Sequence, residues 1–251
     1  MPTPATQRFC VVLVRTQGPV NLGMICRICA NTGLTDLRLV DPQCPTNCAD
    51  SRKFANHERH RLIEGLPTFA DLGAATADCG LVIGTTARLR DPDHGEPVAL
   101  RGLGELLARR PAERTALVFG NEADGLSMDE LRACQEFITL ETPGHYHSYN
   151  LANAVAIVTY HAATLEHEAA PSEQPPAAER ERVERLAGYW LDSLERIDYF
   201  RRTTRARWEP TFRDMLNRWP LTRHEVDVLF GIFAQVNYHA FGNKHAEDLE
   251  P

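Results

Sequence analysis

Three short segments carry amides, carboxylates and glycines that a bare scaffold would not need. The first, Pro19-Val20-Asn21-Leu22-Gly23-Met24-Ile25-Cys26-Arg27, follows an apolar run. Asn21 has a side chain suited to capping a helix, and Gly23 lets a neighbour pack closely. Arg27 sits among Ile25, Cys26, Ile28 and Cys29. A charge in such company is paired, faces a cleft, or lies on the solvated stripe of an amphipathic helix. The second segment, Gly120-Asn121-Glu122-Ala123-Asp124-Gly125-Leu126, closes another apolar run. Open α/β sheets bind ligands at the carboxyl ends of strands, so a turn with two glycines and a carboxylate is well placed there, although a plain turn uses the same residues. The third, Ser148-Tyr149-Asn150-Leu151-Ala152-Asn153, leads into a helical stretch, where Ser and Asn commonly serve as caps. Phosphate loops of the G-x-x-x-x-G-K-[ST] and G-x-G-x-x-G kinds are absent. Cys26-x-x-Cys29 and Cys44-x-x-x-Cys48 have ligand-like spacing, but the first pair falls inside a helical stretch and the second flanks Pro45. Structural zinc pairs sit on tight turns, so no metal site is expected.

The elements that must position these segments alternate along the chain. Phe9–Val14, Leu37–Val40, Leu81–Ile83, Ala116–Phe119 and Phe137–Leu140 are short apolar runs bounded by turn formers, and they read as strands. Continuous rather than alternating apolarity predicts a parallel sheet covered on both faces. Helical patterns fall between them at Gly23–Thr32 and Ser127–Cys134, the latter opened by a Ser127–Glu130 capping box. A further helix is expected over Leu151–Glu166, and the whole alternation makes the core α/β. His167–Glu179 has the Pro, Ala and Glu content of a linker. Beyond it only helical periodicity remains: Val183, Leu186, Trp190, Leu194 and Ile197, then Val226, Leu229, Phe230 and Phe233 after a Thr222–Glu225 capping box. Residues 180–251 therefore read as a small helical domain.

Bulk properties narrow the function classes. With 43% hydrophobic and 24% charged residues over 251 positions, the composition is that of a globular protein with one large domain and a small accessory unit. No apolar run is long enough to span a bilayer and no signal peptide is visible, so a cytoplasmic protein is expected. Seven scattered cysteines fit a reducing compartment rather than a disulfide framework. A net charge of −7 argues mildly against nucleic acid as a partner. Locally the balance reverses, because Arg201–Arg223 holds seven arginines against Glu209 and Asp214. A second basic stretch runs from Arg52 and Lys53 through His57, Arg59, His60 and Arg61. Either stretch reads as a solvated face or as a phosphate-binding one.

Taken in order, these segments resemble the motifs of the SPOUT (trefoil-knot) RNA methyltransferases, and within them the TrmJ branch, which methylates a ribose 2′-hydroxyl at tRNA anticodon-loop position 32. The resemblance is carried by residues 11–42, 84–90, 117–131 and 147–160, with 216–236 similar to the branch's C-terminal extension. It implies a mostly parallel α/β sheet with a C-terminal deep trefoil knot near Phe137–Ala163, and a small all-helical extension. The corresponding division is 1–166 for the methyltransferase domain, 167–179 for a linker and 180–251 for the helical domain. It implies S-adenosylmethionine as cofactor, held by Thr85, Thr86, Ala87, Gly120, Leu140, Ser148, Tyr149 and Asn150. It further implies a homodimer in which Arg27 faces the partner's cofactor and acts on the ribose hydroxyl. A guanidinium with a pKa above ~12 suits stabilisation of a developing alkoxide better than general-base work. Asn150 would fix Arg27 or the substrate, while Asn21 and Glu122 would shape the pocket. Arg88 and Arg90, and Arg201, Arg202, Arg205 and Arg207 in the helical region, would contact RNA. Ribosomal RNA as substrate, or a knotted RNA-binding protein without turnover, are the alternatives. Two departures from the branch are Tyr149, where leucine is usual, and Cys26 and Cys29, where small or aliphatic residues are usual.

Overall fold

Strand β1 (Phe9–Val14) is buried along its whole length, and its side chains divide between two cores. Phe9, Val11 and Leu13 enter one cluster, while Cys10, Val12 and Val14 enter the other. A strand covered on both faces needs such an unbroken apolar run. The computed structural model describes residues 8–55, 60–87, 96–144, 148–165, 175–201 and 203–241, with 60, 61 and 241 described by backbone alone.

After β1 come α1 (Pro19–Thr32), β2 (Leu37–Val40), α2 (Ala49–Ala55), α3 (His60–Glu64), β3 (Thr68–Phe69) and α4 (Leu72–Ala75). The chain continues through β4 (Leu81–Thr85), β5 (Val98–Ala99), α5 (Leu103–Arg109), β6 (Thr115–Phe119), α6 (Met128–Arg132), β7 (Glu136–Thr139) and α7 (Leu151–Leu165). Helices α8 (Arg180–Arg196), α9 (Arg205–Arg218) and α10 (Arg223–Phe241) follow. The strands form one sheet in the order β3-β2-β1-β6-β4-β7-β5, and every pairing is parallel. Late strands thus insert between early ones: β6 lies between β1 and β4, and β7 between β4 and β5. The five expected strands are present. The two additional ones, β3 and β5, are two-residue edge strands too short to leave an apolar run.

Helix α1 begins at Pro19 rather than at Gly23, with Gly18 as its N-cap. Proline suits the first turn because its missing N–H would be unpaired there anyway. Asn21 therefore lies inside the first turn and is not the cap that its residue type suggested. Gly23 faces α2 so closely that a Cβ would stand 2.3 Å from the Ser51 carbonyl oxygen, a spacing only glycine allows. Helix α7 packs back against α1 on the same face of the sheet.

Helices α8–α10 have a core of their own, built from Val183, Leu186, Ala187, Leu216 and Val226. Trp190 completes it, edge-on to Phe212 at 4.9 Å and stacked on Phe233 at 5.2 Å. This unit docks on the amino ends of the strands. The Arg180 and Glu181 amides donate to the Cys79 and Ala77 carbonyls, both at 2.9 Å, just before β4. Ala177 bridges Ala112 on one side and Thr222 on the other, so the end of the expected linker is pinned in place. Among the described residues, no helix is long and apolar enough to cross a membrane.

Candidate active site

The site forms at the opposite end of the sheet, where β4, β6 and β7 deliver their carboxyl termini. Thr85 closes β4, and its Oγ1 donates to the Val118 carbonyl at 3.0 Å. The Thr86 amide donates to the Ile138 carbonyl, also at 3.0 Å, so the first residues past β4 follow β7. The chain leaving β6 turns sharply at Gly120, where a Cβ would stand 2.1 Å from the Gly125 carbonyl carbon. Gly125 itself has φ +71°, a left-handed conformation that favours glycine. Between them Asn121 is buried, and its Oδ1 accepts from the amides of Ala123 at 3.0 Å and Asp124 at 2.6 Å. Ser127 and Glu130 form the expected capping box at the start of α6. Arg15, just past β1, braces this turn by donating to the Gly125 carbonyl at 3.1 Å and pairing with Glu130 at 2.9 Å.

A cleft of about 300 Å³ opens over these turns, lined by Thr85, Thr86, Ala87, Gly120, Leu140, Ser148 and Tyr149 together with Glu122, Leu126 and Thr142. Concave, partly apolar spaces of this size with a few convergent polar groups are the usual form of small-molecule sites. Seven of the expected cofactor residues therefore meet in one place. The eighth, Asn150, lies beside the cleft. Its Oδ1 accepts from the Ala152 amide at 2.9 Å and so caps α7, while its Nδ2 donates to Asn21 Oδ1 at 3.2 Å. Asn21 Nδ2 in turn donates to Glu122 at 2.9 Å. Glu122 also accepts from the Gln17 amide at 2.9 Å and the Gly18 amide at 3.0 Å. Burial alone would push the Glu122 carboxyl up. The hydrogen bonds from Asn21, Gln17 and Gly18 outweigh that and hold it below the usual carboxylate range. One relay thus ties the first, second and third polar segments together.

Arg27 is exposed on α1 and does not line the cleft of its own chain. Among the described residues it has no ion-pair partner. Arg88, Arg90 and Arg202 lie outside the described residues, as do His57 and Arg59. In the helical unit Arg201 pairs with Asp198 at 3.1 Å, and Arg205 with Asp192 at 2.6 Å and Glu195 at 2.8 Å. Arg207 is exposed without an acidic partner among the described residues. Cys26 and Cys29 are buried in α1 against the sheet, and desolvation pushes the Cys26 thiol up to about 12 and the Cys29 thiol upward as well. Sequence reasoning missed Arg15, Asn121 and the Gln17–Gly18 amides. An arginine after a strand carries no signal for a contact made 110 residues away.

Residues 8–160 match the family described as SpoU rRNA Methylase. The chain is 31% identical over 244 residues to the tRNA (cytidine/uridine-2′-O-)-methyltransferase TrmJ of Salmonella typhimurium LT2, covering 92% of this chain and 96% of that protein. It is 31% identical over 252 residues to TrmJ of Escherichia coli K12, covering 95% and 98%. The crystal structure of TrmJ from Z. mobilis ZM4 superposes with a TM-score of 0.74 at 26% identity, over 91% of this chain and 98% of that one. A methylase family protein from Neisseria gonorrhoeae gives 0.64 at 28% identity, over 74% and 95%. Likeness across the whole α/β sheet and its polar turns, continued into the helical end, makes this chain a member of the SpoU methylase family.

Proposed function

We propose that this protein transfers a methyl group from S-adenosylmethionine to a ribose 2′-hydroxyl of tRNA, at a cytidine or uridine in anticodon-loop position 32. The observation that carries this reading is the Glu122–Asn21–Asn150 relay beside a glycine-floored cleft. The residues fit the cofactor. Gly120 leaves room that a Cβ would fill, Leu140 and Leu126 offer apolar surface, and Thr85, Thr86 and Ser148 offer polar groups. Glu122 keeps the site negative, which suits a cationic ligand. When bound, S-adenosylmethionine supplies a methyl already activated by its sulfonium.

The protein's own residues then have to align and stabilise. Asn150 holds the start of α7 with one end of its amide and Asn21 with the other, fixing the cleft wall. Arg27 aligns the ribose hydroxyl and stabilises its developing negative charge. Because Arg27 lies outside its own cleft, it acts on the partner's site in a homodimer. That reading is supported by the apolar groove beside it, where Ile28 of α1 meets Ile157 and Tyr160 of α7, the last 67% exposed. The knot is inferred from β7 inserted between β4 and β5 and followed by α7 against α1. The division into 1–166, 167–179 and 180–251 belongs to the same reading, as does work among cytoplasmic tRNAs.

The test is transfer of labelled methyl to bulk tRNA, followed by nucleoside analysis. A 2′-O-methylated cytidine or uridine is expected. Label on ribosomal RNA alone would overturn the tRNA substrate, and absence of both transfer and cofactor binding would overturn the reaction. Arg27→Ala should lower turnover by about 10²–10³-fold while leaving cofactor affinity unchanged. Mixing it with a Glu122 variant should restore one working site per dimer if Arg27 acts across the interface.

A further inference from the structure

The basic stretch around α9 is not uniformly available. Arg201, Arg205, Arg213 and Arg223 are all committed to acids within the fold. Arg205 meets Asp192 and Glu195, Arg213 meets Glu184 and Glu209, and Arg223 meets Glu113 and Glu179. Among the described residues of the stretch, two arginines escape this pairing. Arg207 and Arg218 are exposed and have no acidic partner among the described residues. Each is followed by an exposed tryptophan: Trp208 is 37% exposed and Trp219, the C-cap of α9, is 43% exposed. Neither ring packs on another ring among the described residues, whereas Trp190 is enclosed by Phe212 and Phe233.

The two Arg–Trp pairs are eleven residues apart, three turns of helix, so they return to the same side about 16 Å apart. Helix α9 is continuous from Arg205 to Arg218, with Pro210 inside it. Asp214 lies on the arginine side between the pairs and makes no ion pair among the described residues. Each indole is partly exposed, and the residue before it carries an exposed guanidinium, so the surface of α9 offers aromatic rings and cations within a few residues of one another. The combination of a π-face for a base and a cation for the adjoining phosphate recurs where proteins hold unpaired nucleotides.

We propose that the twin Arg207–Trp208 and Arg218–Trp219 pairs form an RNA-binding face, each indole stacking on an unpaired base and each arginine holding a neighbouring phosphate. This rests on the tRNA reading above and deepens it. It moves the RNA-binding role of the helical unit from the paired Arg201 and Arg205 to Arg207 and Arg218. It also places that role on the unit docked at the amino ends of the strands, away from the cleft, so the enzyme grips its RNA at a point remote from the methylated ribose.

The experiment measures affinity for bulk tRNA by fluorescence anisotropy as a function of salt, in the full-length protein, with S-adenosylmethionine affinity and methyl transfer recorded in parallel. The double variant Trp208→Ala/Trp219→Ala should weaken tRNA binding by roughly tenfold or more. The double variant Trp208→Phe/Trp219→Phe should recover most of it, because a phenyl ring still stacks. Arg207→Ala/Arg218→Ala should flatten the log–log salt dependence by roughly 0.7 for each phosphate left without its arginine. All variants should bind S-adenosylmethionine as the wild type does. Unchanged affinity and salt slope in these variants, with a wild-type enzyme that methylates tRNA, would overturn this face alone. A fall in oligomer mass in the tryptophan variants, with RNA affinity intact, would make it a protein-binding face and also overturn the proposal. A wild type that neither binds nor methylates tRNA would overturn the tRNA reading and this face with it.

Discussion

The two ends of the sheet use similar polar residues to opposite effect. At the amino ends, Arg38 donates to Asp78 at 2.6 and 2.8 Å, to Asp36 at 2.9 and 3.1 Å, and to the Ala75 carbonyl at 2.7 Å. Arg114 joins the same two carboxylates. The hydrogen bond from Arg38 holds the Asp78 carboxyl below its ordinary range. The helical unit docks beside this network. At the carboxyl ends Glu122 is also held down, but by neutral donors, among them the Asn21 side-chain amide and the Gln17 and Gly18 backbone amides. Charge at the amino ends is cancelled within the fold, while the Glu122 charge at the carboxyl ends is supported by dipoles and, among the described residues, has no cation paired with it. A carboxylate stabilised without a cation keeps its field for whatever enters the cleft.

That contrast can be broken from either side. The largest effect is expected from Arg38→Ala, which leaves two carboxylates facing Arg114 alone and removes a buried charge partner. Loss of about 2–4 kcal/mol is expected in urea unfolding, less than for a fully buried pair because Asp78 is half-exposed and Arg114 remains, with methyl transfer per folded molecule unchanged. A fall in turnover by the folded fraction would show that the two ends are coupled. Next is Glu122→Gln, which puts an amide donor against the Gln17 and Gly18 amides. It should cost about 1–3 kcal/mol and also lower cofactor affinity. Because the folded pKa of Glu122 lies below its ordinary value of 4.5, its stabilisation is complete above about that pH. It is lost as pH falls through the folded value. Stability measured from pH 6 down to pH 3 should therefore show a component in the wild type that Glu122→Gln lacks. The smallest effect belongs to Ser127→Ala, about 1 kcal/mol for one missing cap. Any larger loss of cofactor affinity there would mean that Glu130 needs its cap to hold Arg15.

Much of this was legible in the chain before it folded. The five apolar runs are strands, because burial on both faces demands unbroken apolarity. Both capping boxes form, Thr222 and Glu225 included, because a cap is a bond between residues three apart. Seven of the residues expected to hold the cofactor, from the ends of β4, β6 and β7 and the approach to α7, line one cleft. What misled was local chemistry overruled at a distance. Asn21 has the side chain of a cap, yet its amide is used on Glu122, 101 residues away. The arginines of 201–223 looked equivalent as letters, and packing divides the described ones into those with an acidic partner and those without.

By itself the sequence determined the parallel α/β core, the helical end and the three polar segments, since these follow from periodicities and neighbours within a few residues. Only the tertiary structure decided that Asn150 meets Asn21 across 129 residues and that Arg15 braces Gly125 across 110. It alone decided which end of the sheet the helical unit covers, and that Arg27 stands outside its own cleft. The physical reason is that such contacts depend on strand order and helix docking, which the packing of two cores settles together and which no local run of residues encodes.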